Sequence, residues 1–441
     1  MAHIAPFKAL RFNPGTAGAL SELVAQPYDK IDRELQQTYY ARNPHNIVRI
    51  IKSDEANRDP ETAYPVAART LKEWREQGIL TYDSEPALYI YYQSFTYRNK
   101  PYTRKGFISS VALEEKGVRA HEHTLAGPKA DRLRLLRATE TNDELIFLLF
   151  SDPAHEAVKT MDAAIATQKP LLEAKDDFGE THFVWKITDR SVIEKLKTLL
   201  APVELFIADG HHRYETAVNF KHECEAKGWK PVGAQGFEHR MMALFPMEDP
   251  GLVIFPTHRL VHDVKNFDGA KLVNQLKEKF DVHSVSSADE LVQIMDENVA
   301  EHAMGLVLSP PPAGGIKGGV TYYFLRLKDI SIADREGPAG ASVPAKRLGV
   351  TILHHFILDQ LLGIDKARLE AFTNVDYCRH REEAVARVGK DDIQAAFLLN
   401  PTDVAHVKAV AERGERMPQK STDFYPKLLA GLLMMPLEIK K

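Results

Sequence analysis

The sequence predicts a mixed α/β fold with more than one lobe, and three observations carry that expectation. From about residue 146 onward, short apolar runs alternate with stretches of helical periodicity. Around residues 87–113 a tyrosine-rich apolar run, a polar turn and a second run read as a β-hairpin. A length of 441 residues exceeds what one ordinary core absorbs. Hydrophobic residues at 44% and charged residues at 27% are the balance of a globular chain. The expected organisation is an N-terminal α/β region over 1–150, a region carrying a strand-turn-helix site over 151–260, and a C-terminal α/β region over 261–441.

Near the N-terminus, Pro27-Tyr28-Asp29 reads as a turn, with Asp29 placed to cap the helix that follows. Glu61 to Gly78 is an amphipathic helix stopped by its glycine. The hairpin joins Ala87–Phe95 to Arg104–Leu113 through Arg98-Asn99-Lys100-Pro101. Strands follow at Ile146–Phe150 and Thr181–Ile187, with helices at His155–Gln168 and Ser191–Leu200. Val203–Ala208 is a buried strand, Asp209-Gly210 a tight turn, and His211–Lys227 a helix ending at Gly228. Further strands are expected at Met241–Phe245, Leu252–Phe255, Gly305–Leu308, Val320–Leu327 and Ala395–Leu399, and helices at Ala270–Phe280, Thr351–Leu362 and Asp403–Arg413. Ser309–Gly319, rich in proline and glycine, reads as a loop. No internal repeat of fixed period is present.

A formal net charge of -4 provides no general attraction to nucleic acid or anionic membrane, so nucleic acid is a disfavoured partner. The two cysteines, Cys224 and Cys378, form no paired motif, which fits a reducing cytoplasm. No signal peptide and no bilayer-length apolar window is evident, so no membrane association is expected.

Three polar clusters carry chemistry. The first is Ala208-Asp209-Gly210-His211-His212-Arg213-Tyr214, which sets two histidines and an arginine at the start of a helix after a strand and a glycine. Backbone N–H groups and the positive end of the helix dipole favour an anion there, and Arg213 adds a forked contact suited to phosphate. Asp209 would orient Arg213 or a histidine, or hold a metal ion beside the phosphate. The plainer alternative is that Asp209 caps the helix and His211 and His212 sit on the surface. The second cluster is His121-Glu122-His123-Thr124 with Pro128-Lys129-Ala130-Asp131-Arg132, in which Glu122 has the chemistry of a general base. A solvated loop is the alternative there, and without an H-E-x-x-H frame a zinc reading is weak. The third, Gly414 to Lys427, groups Lys420, Ser421, Thr422 and Lys427, donors for phosphate or carboxylate oxygens, although the spacing is not that of a Walker A loop and a basic proline-rich loop is the alternative. The pair His354-His355 falls in the apolar Thr351–Leu362 stretch, where at least one reads as a core or helix-surface histidine rather than a ligand.

Ala208-Asp209-Gly210-His211-His212-Arg213-Tyr214-Glu215-Thr216-Ala217, with Met417 to Lys427 downstream, resembles a bacterial and archaeal family of unknown function catalogued under the number one thousand and fifteen. Pro27-Tyr28-Asp29, His121-Glu122 and Ala396-Phe397-Leu398-Leu399-Asn400-Pro401 resemble it too. The Asp209–Arg213 turn is also similar to the phosphate-binding box of the ParB and sulfiredoxin superfamily, whose members bind or hydrolyse nucleotides and include free serine kinases. That resemblance implies a ParB/sulfiredoxin-like element in which Gly210, His211, His212 and Arg213 hold nucleotide phosphates.

The reading that follows is a nucleotide-dependent phosphotransferase acting on a small hydroxylated metabolite such as a free amino acid. ATP or ADP would be the nucleotide and Mg²⁺ the accompanying ion, held by Asp209. Glu122, Asp209, His211 and His212 would be the catalytic groups. His121, Lys129, Arg132, Lys420, Ser421, Thr422 and Lys427 would bind the substrate or remaining phosphate oxygens. A nucleotide-binding regulator without chemistry is the first alternative, and a ParB-like nucleic-acid protein the second.

Overall fold

The computed structural model describes residues 2–53, 60–114, 117–119, 126–299, 302–309, 319–371, 373–390, 392–418 and 420–441. The chain divides into two compact units, one built from Met1–Ala120, Thr124–Val253 and Pro426–Lys441, the other around Ile254–Tyr425. The boundary expected near residue 150 falls inside the first unit, because Ile146–Phe150 and Thr181–Ile187, on either side of it, enter one sheet. The fold class is the mixed α/β one expected from the sequence. Among the described residues, no helix is long and apolar enough to cross a membrane.

The first unit holds a mixed sheet of nine strands among the described residues. In spatial order they are Val118–Arg119, Leu205–Asp209, Ile146–Phe150, His239–Pro246, Lys100–Ala112, Leu88–Tyr97, Thr181–Ile187 and Leu172–Lys175, with Ile4–Ala5 beside Lys100–Ala112. Only Leu205–Asp209 on Val118–Arg119 and His239–Pro246 on Ile146–Phe150 pair in parallel within this sheet. The hairpin closes between Tyr97 and Lys100. Arg98 and Asn99 take φ of +50° and +60°, the left-handed pair that lets a two-residue turn follow the twist of its strands.

Ile90, Phe107, Ile146, Leu148, Met242 and Leu244 form the core of this sheet together with residues of the covering helices. One such helix, Arg190–Leu200, buries Ile193, Leu196 and Leu200, spaced three and four apart. Asp189 starts it by accepting the Ser191 N–H at 2.8 Å. Each fully buried leucine contributes about 2 kcal/mol. A second cluster gathers Ala67, Leu71 and Trp74 of the helix Pro60–Glu76 with Tyr39, Ile47, Ile50 and Leu80. The helix Arg33–Arg42 is capped by Asp32, which accepts the Leu35 N–H at 2.8 Å, and not by Asp29, which lies in the short 3-10 turn Tyr28–Lys30.

Arg104 is fully buried within the hairpin. Its Nε donates to Gln93 Oε1 at 3.0 Å and its Nη2 to the Pro426 carbonyl at 2.5 Å, while the guanidinium carbon lies 4.5 and 4.7 Å from the ring centroids of Phe147 and Phe245. Burial pulls its pKa down to about 10. Two residues on, a Cβ at Gly106 would come within 2.4 Å of both the Leu244 carbonyl oxygen and the Phe245 ring. The neighbouring strand therefore packs where any side chain would stand. The C-terminal segment is bound into this unit by backbone pairs: Ala25 with Ala430, Leu10 with Met434, and Asn142 with Met435.

The second unit holds a wholly antiparallel sheet in the order Phe280–Val285, Thr321–Leu327, Ala303–Leu308, Ile393–Leu399, His258–His262 and Val375–Cys378. The helix Ala288–Glu297 packs on it so closely that a Cβ at Gly305 would meet Met295 Sδ at 2.9 Å. That helix opens with Ser287 accepting the Glu290 N–H at 3.2 Å, while Glu290 takes the Ser286 N–H at 2.7 Å. The Thr351–Leu362 stretch is not the single α-helix expected. Gly349–Ile352 is one α-turn, and Leu353–Asp359 widens into a π-helix, which hydrophobic periodicity does not signal. Most of the expected Ser309–Gly319 loop lies outside the described residues.

Gly106→Ala is expected to destabilise the chain by about 1–3 kcal/mol, because the added methyl overpacks the sheet. A thermal melt of the variant against wild type checks this, and an unchanged midpoint would mean that the His239–Pro246 strand moves aside freely.

Candidate functional site

The strand Leu205–Asp209 runs into Gly210, and the helix His211–Ala226 begins at the next residue. Gly210 has φ of +93°, and a Cβ there would lie 3.1 Å from Nε and Nη2 of Arg213. Glycine is thus required twice, by the left-handed turn and by the guanidinium folded back over it. Gly210 is the N-cap, so no side chain caps the helix, and its first turn holds no carboxylate. It carries His211, His212 and Arg213 instead, of which His211 and Arg213 are buried. Helix starts ordinarily gather acidic groups, because the dipole repels cations there.

Asp209 does not cap the helix. Its Oδ2 accepts from Lys427 Nζ at 2.9 Å and its Oδ1 stands 3.6 Å from Arg213 Nη2. Burial pushes this carboxyl up, but Lys427 and Arg213 override burial and hold it well below the usual carboxylate range. Arg213 Nη1 donates to the Leu145 carbonyl at 2.6 Å and lies 3.8 Å from Glu144 Oε1.

Glu144, with a side chain 1% exposed, is the hub of the cluster. Its Oε1 accepts the Tyr28 N–H at 3.0 Å, its Oε2 lies 3.5 Å from Arg132 Nη1, and its backbone carbonyl accepts from Arg240 at 3.1 Å. Arg132 is further paired with Asp131 at 2.6 Å and stacks 4.1 Å from the Tyr28 ring centroid. Burial raises the pKa of Glu144, with Arg213 and Arg132 offsetting part of the rise, and raises that of neighbouring Asp143 against Arg132 and Arg240. Burial also lowers Arg240 to about 10. A cavity of about 350 Å³ adjoins this cluster, lined in part by Tyr28, Lys52, Ser53, Tyr64, Asp131 and Arg132. Lys52 Nζ donates to the Tyr28 carbonyl at 3.1 Å and to the carbonyl of Ile31.

Of the residues singled out from the sequence, Asp209, Gly210, His211, His212, Arg213, Arg132 and Lys427 belong to this one region of the first unit. Lys129 pairs with Glu215 of the site helix at 3.0 Å. His121 and Glu122 lie outside the described residues. Lys420, Ser421 and Thr422 belong to the second unit. There the Ser421 hydroxyl donates to the Pro418 carbonyl at 2.5 Å, and the Lys420 carbonyl accepts from Arg259 at 3.1 Å. Among the described residues, no group of three or more His, Cys, Asp or Glu side chains is placed to hold a metal ion.

Sequence reasoning missed Glu144, Asp143, Arg240 and Lys52. Two signals were present: an acidic pair directly before the fully apolar strand Ile146–Phe150, and an arginine inside the buried strand His239–Pro246. Charges in such places need partners.

The chain belongs to the family described as protein of unknown function (DUF1015), whose model matches residues 4–334. The match contains the Asp209–Arg213 turn and ends before the Met417–Lys427 segment. No curated protein matches the chain. Among solved structures, a free serine kinase in complex with AMP is similar at 12% identity and a TM-score of 0.36, covering 75% of this chain and 91% of that one. A conserved hypothetical protein from Pyrococcus furiosus is similar at 14% identity and a TM-score of 0.32, covering 73% and 92%. A C-terminally truncated SbnI from Staphylococcus aureus is similar at 8% identity and a TM-score of 0.31, covering 73% and 85%. Likeness this low carries no argument about activity.

Because its folded pKa is depressed, Asp209 stabilises the protein above the unfolded carboxylate value of about 4, and that contribution is lost as pH falls below it. Asp209→Asn is therefore expected to cost about 3 kcal/mol at pH 7 by leaving Lys427 and Arg213 without their shared carboxylate. The difference from wild type should shrink in acid. Melting curves from pH 7 down to pH 3 test this, and a gap independent of pH would refute it.

Proposed function

We propose that the first unit binds nucleotide phosphates at Gly210, His211, His212 and Arg213, and that the protein transfers a phosphoryl group to a small hydroxylated metabolite such as a free hydroxy amino acid. The observation that carries this reading is the first turn of the His211–Ala226 helix. It has no side chain at its cap, no carboxylate, and three basic-type residues at the positive end of the dipole. An anion with several oxygens turns that arrangement from a cost into a stabilising one. Its similarity to the ParB/sulfiredoxin phosphate box points to the same ligand.

In this reading Gly210 lets a phosphate approach the backbone, and Asp209 holds Lys427 and Arg213 toward it. A Mg²⁺ carried by the nucleotide needs only one or two protein carboxylates, and Asp209, the carboxylate at the turn, would have to give up Lys427 or Arg213 to hold it. The ion would neutralise charge on the phosphate oxygens. Lys129 and Arg132 flank the acceptor side, where the cavity beside Tyr28 accommodates a small molecule. In the transfer, the bond from the terminal phosphorus to the nucleotide's bridging oxygen breaks and a bond to the acceptor oxygen forms. The hydroxyl proton passes to the Glu122 carboxylate.

Titration calorimetry with ATP and ADP in Mg²⁺, alongside a turnover assay on hydroxylated amino acids, tests the assignment. Arg213→Ala should weaken nucleotide binding at least tenfold, with Lys427→Gln as a second variant should the first not fold. Glu122→Gln should bind nucleotide as wild type does and lose turnover by a factor of about 100 or more. Absence of nucleotide binding by the wild-type chain would overturn the site. Binding without product from any hydroxylated acceptor would make the protein a nucleotide-binding regulator.

A further inference from the structure

We propose that the second unit holds a separate site for a small phosphorylated molecule, in the cavity bordered by Arg259, His302, Arg347, His406 and Ser421. The cavity measures about 440 Å³ and lies wholly among residues of that unit, a size in the range of small-molecule sites. Among the described residues, its lining brings together two guanidinium groups and two imidazoles with a single carboxylate, Asp403. That carboxylate already accepts the Ala405 N–H at 2.7 Å, capping the helix Val404–Ala411. The imidazole of His302 is held below its ordinary pKa by burial and then by the proximity of His406 and Arg347. An anion entering the cavity would meet the guanidinium groups of Arg259 and Arg347 from one space.

The arginines are fixed in place. Arg347 donates through Nε and Nη2 to the two oxygens of Asp334 at 2.9 and 2.8 Å. Arg259, 1% exposed, donates to His354 Nε2 at 3.2 Å and to the Lys420 carbonyl at 3.1 Å, and also to the Thr257 carbonyl. A guanidinium fork held this way loses little freedom when it meets an oxyanion. The backbone at the rim is unusual too. His302 and Lys420, the neighbour of Ser421, adopt φ of +51° and +55°, and left-handed non-glycine residues concentrate at ligand sites. Two arginines and two histidines suit the nearly doubly charged phosphate monoester better than a single carboxylate. Arg347, Thr402, His406 and Ser421 lie beyond the segment matched by the family model. The site is independent of the phosphotransferase reading of the first unit.

The test is a calorimetric titration of the full chain with inorganic phosphate in the Arg213→Ala background, with Lys427→Gln as the background should Arg213→Ala not fold, and with malonate as a carboxylate comparison. Phosphate should still bind in that background, and adding His406→Ala or Arg347→Gln should weaken it at least tenfold. His406 is exposed, so its replacement leaves the core intact. Loss of all phosphate binding with the first-unit variant alone, or unchanged binding in both second-unit variants, would overturn the proposal. Malonate binding as tightly as phosphate would overturn the assignment to a phosphorylated ligand.

Discussion

A carboxylate removed almost entirely from water must be met by cations and N–H donors, and Glu144 imposes that demand on the first unit. It is answered from separate parts of the chain: the Tyr28 backbone, Arg132 from the helix Ala126–Thr139, Arg213 from the site helix, and Arg240, whose donor goes to the Glu144 backbone carbonyl. Arg213 is in turn shared with Asp209, which fixes Lys427. The position of Arg213 at the helix start is thus tied to a carboxylate that four strands and two helices separate from it in sequence. Removing Glu144 would leave buried guanidinium groups to find new partners, whereas losing an exposed pair such as Arg134–Glu61 would matter little.

The parts of the fold that were legible in the sequence are those decided locally. The hairpin around Arg98-Asn99 and the strand, glycine and helix around Gly210 depend on neighbours in the chain, and they stand where the residues indicate. The cap of Arg33–Arg42 shifted from Asp29 to Asp32 because the intervening residues make a 3-10 turn, a choice among nearly equal local options. The π-helical turn at Leu353–Asp359 left no trace in the hydrophobic spacing. For the site, the residue types at Asp209–Arg213 were readable, and so was a pairing of Asp209 with Arg213, whereas the lysine that shares Asp209 was not. That lysine, Lys427, lies 218 positions away, and no spacing rule reports such a pairing. Arg240 is instructive in the other direction: a charge near the start of a buried, otherwise largely apolar strand announces a buried partner without saying which.

The second unit is organised by different means. Its sheet is wholly antiparallel, and its helix Ala288–Glu297 sits tightly over Gly305. Part of its irregular backbone, at Lys420 and the π-helical turn, is held by Arg259. One arginine there links the carbonyl of Lys420 to the imidazole of His354, so the loop and the π-helical turn are fixed relative to each other.

The first unit is discontinuous: Pro426–Lys441 returns to it after the whole of Ile254–Tyr425 has intervened. Lys427, the Pro426 carbonyl that Arg104 grips, and the backbone partners of Leu10 and Ala25 all arrive with that last segment. During synthesis, therefore, a ribosome has to add 218 further residues before the Asp209 carboxylate can meet its lysine. A chain interrupted before Pro426, however well its earlier portions fold, would leave that carboxylate and Arg104 without these contacts, so the site is assembled only after the intervening unit has been made.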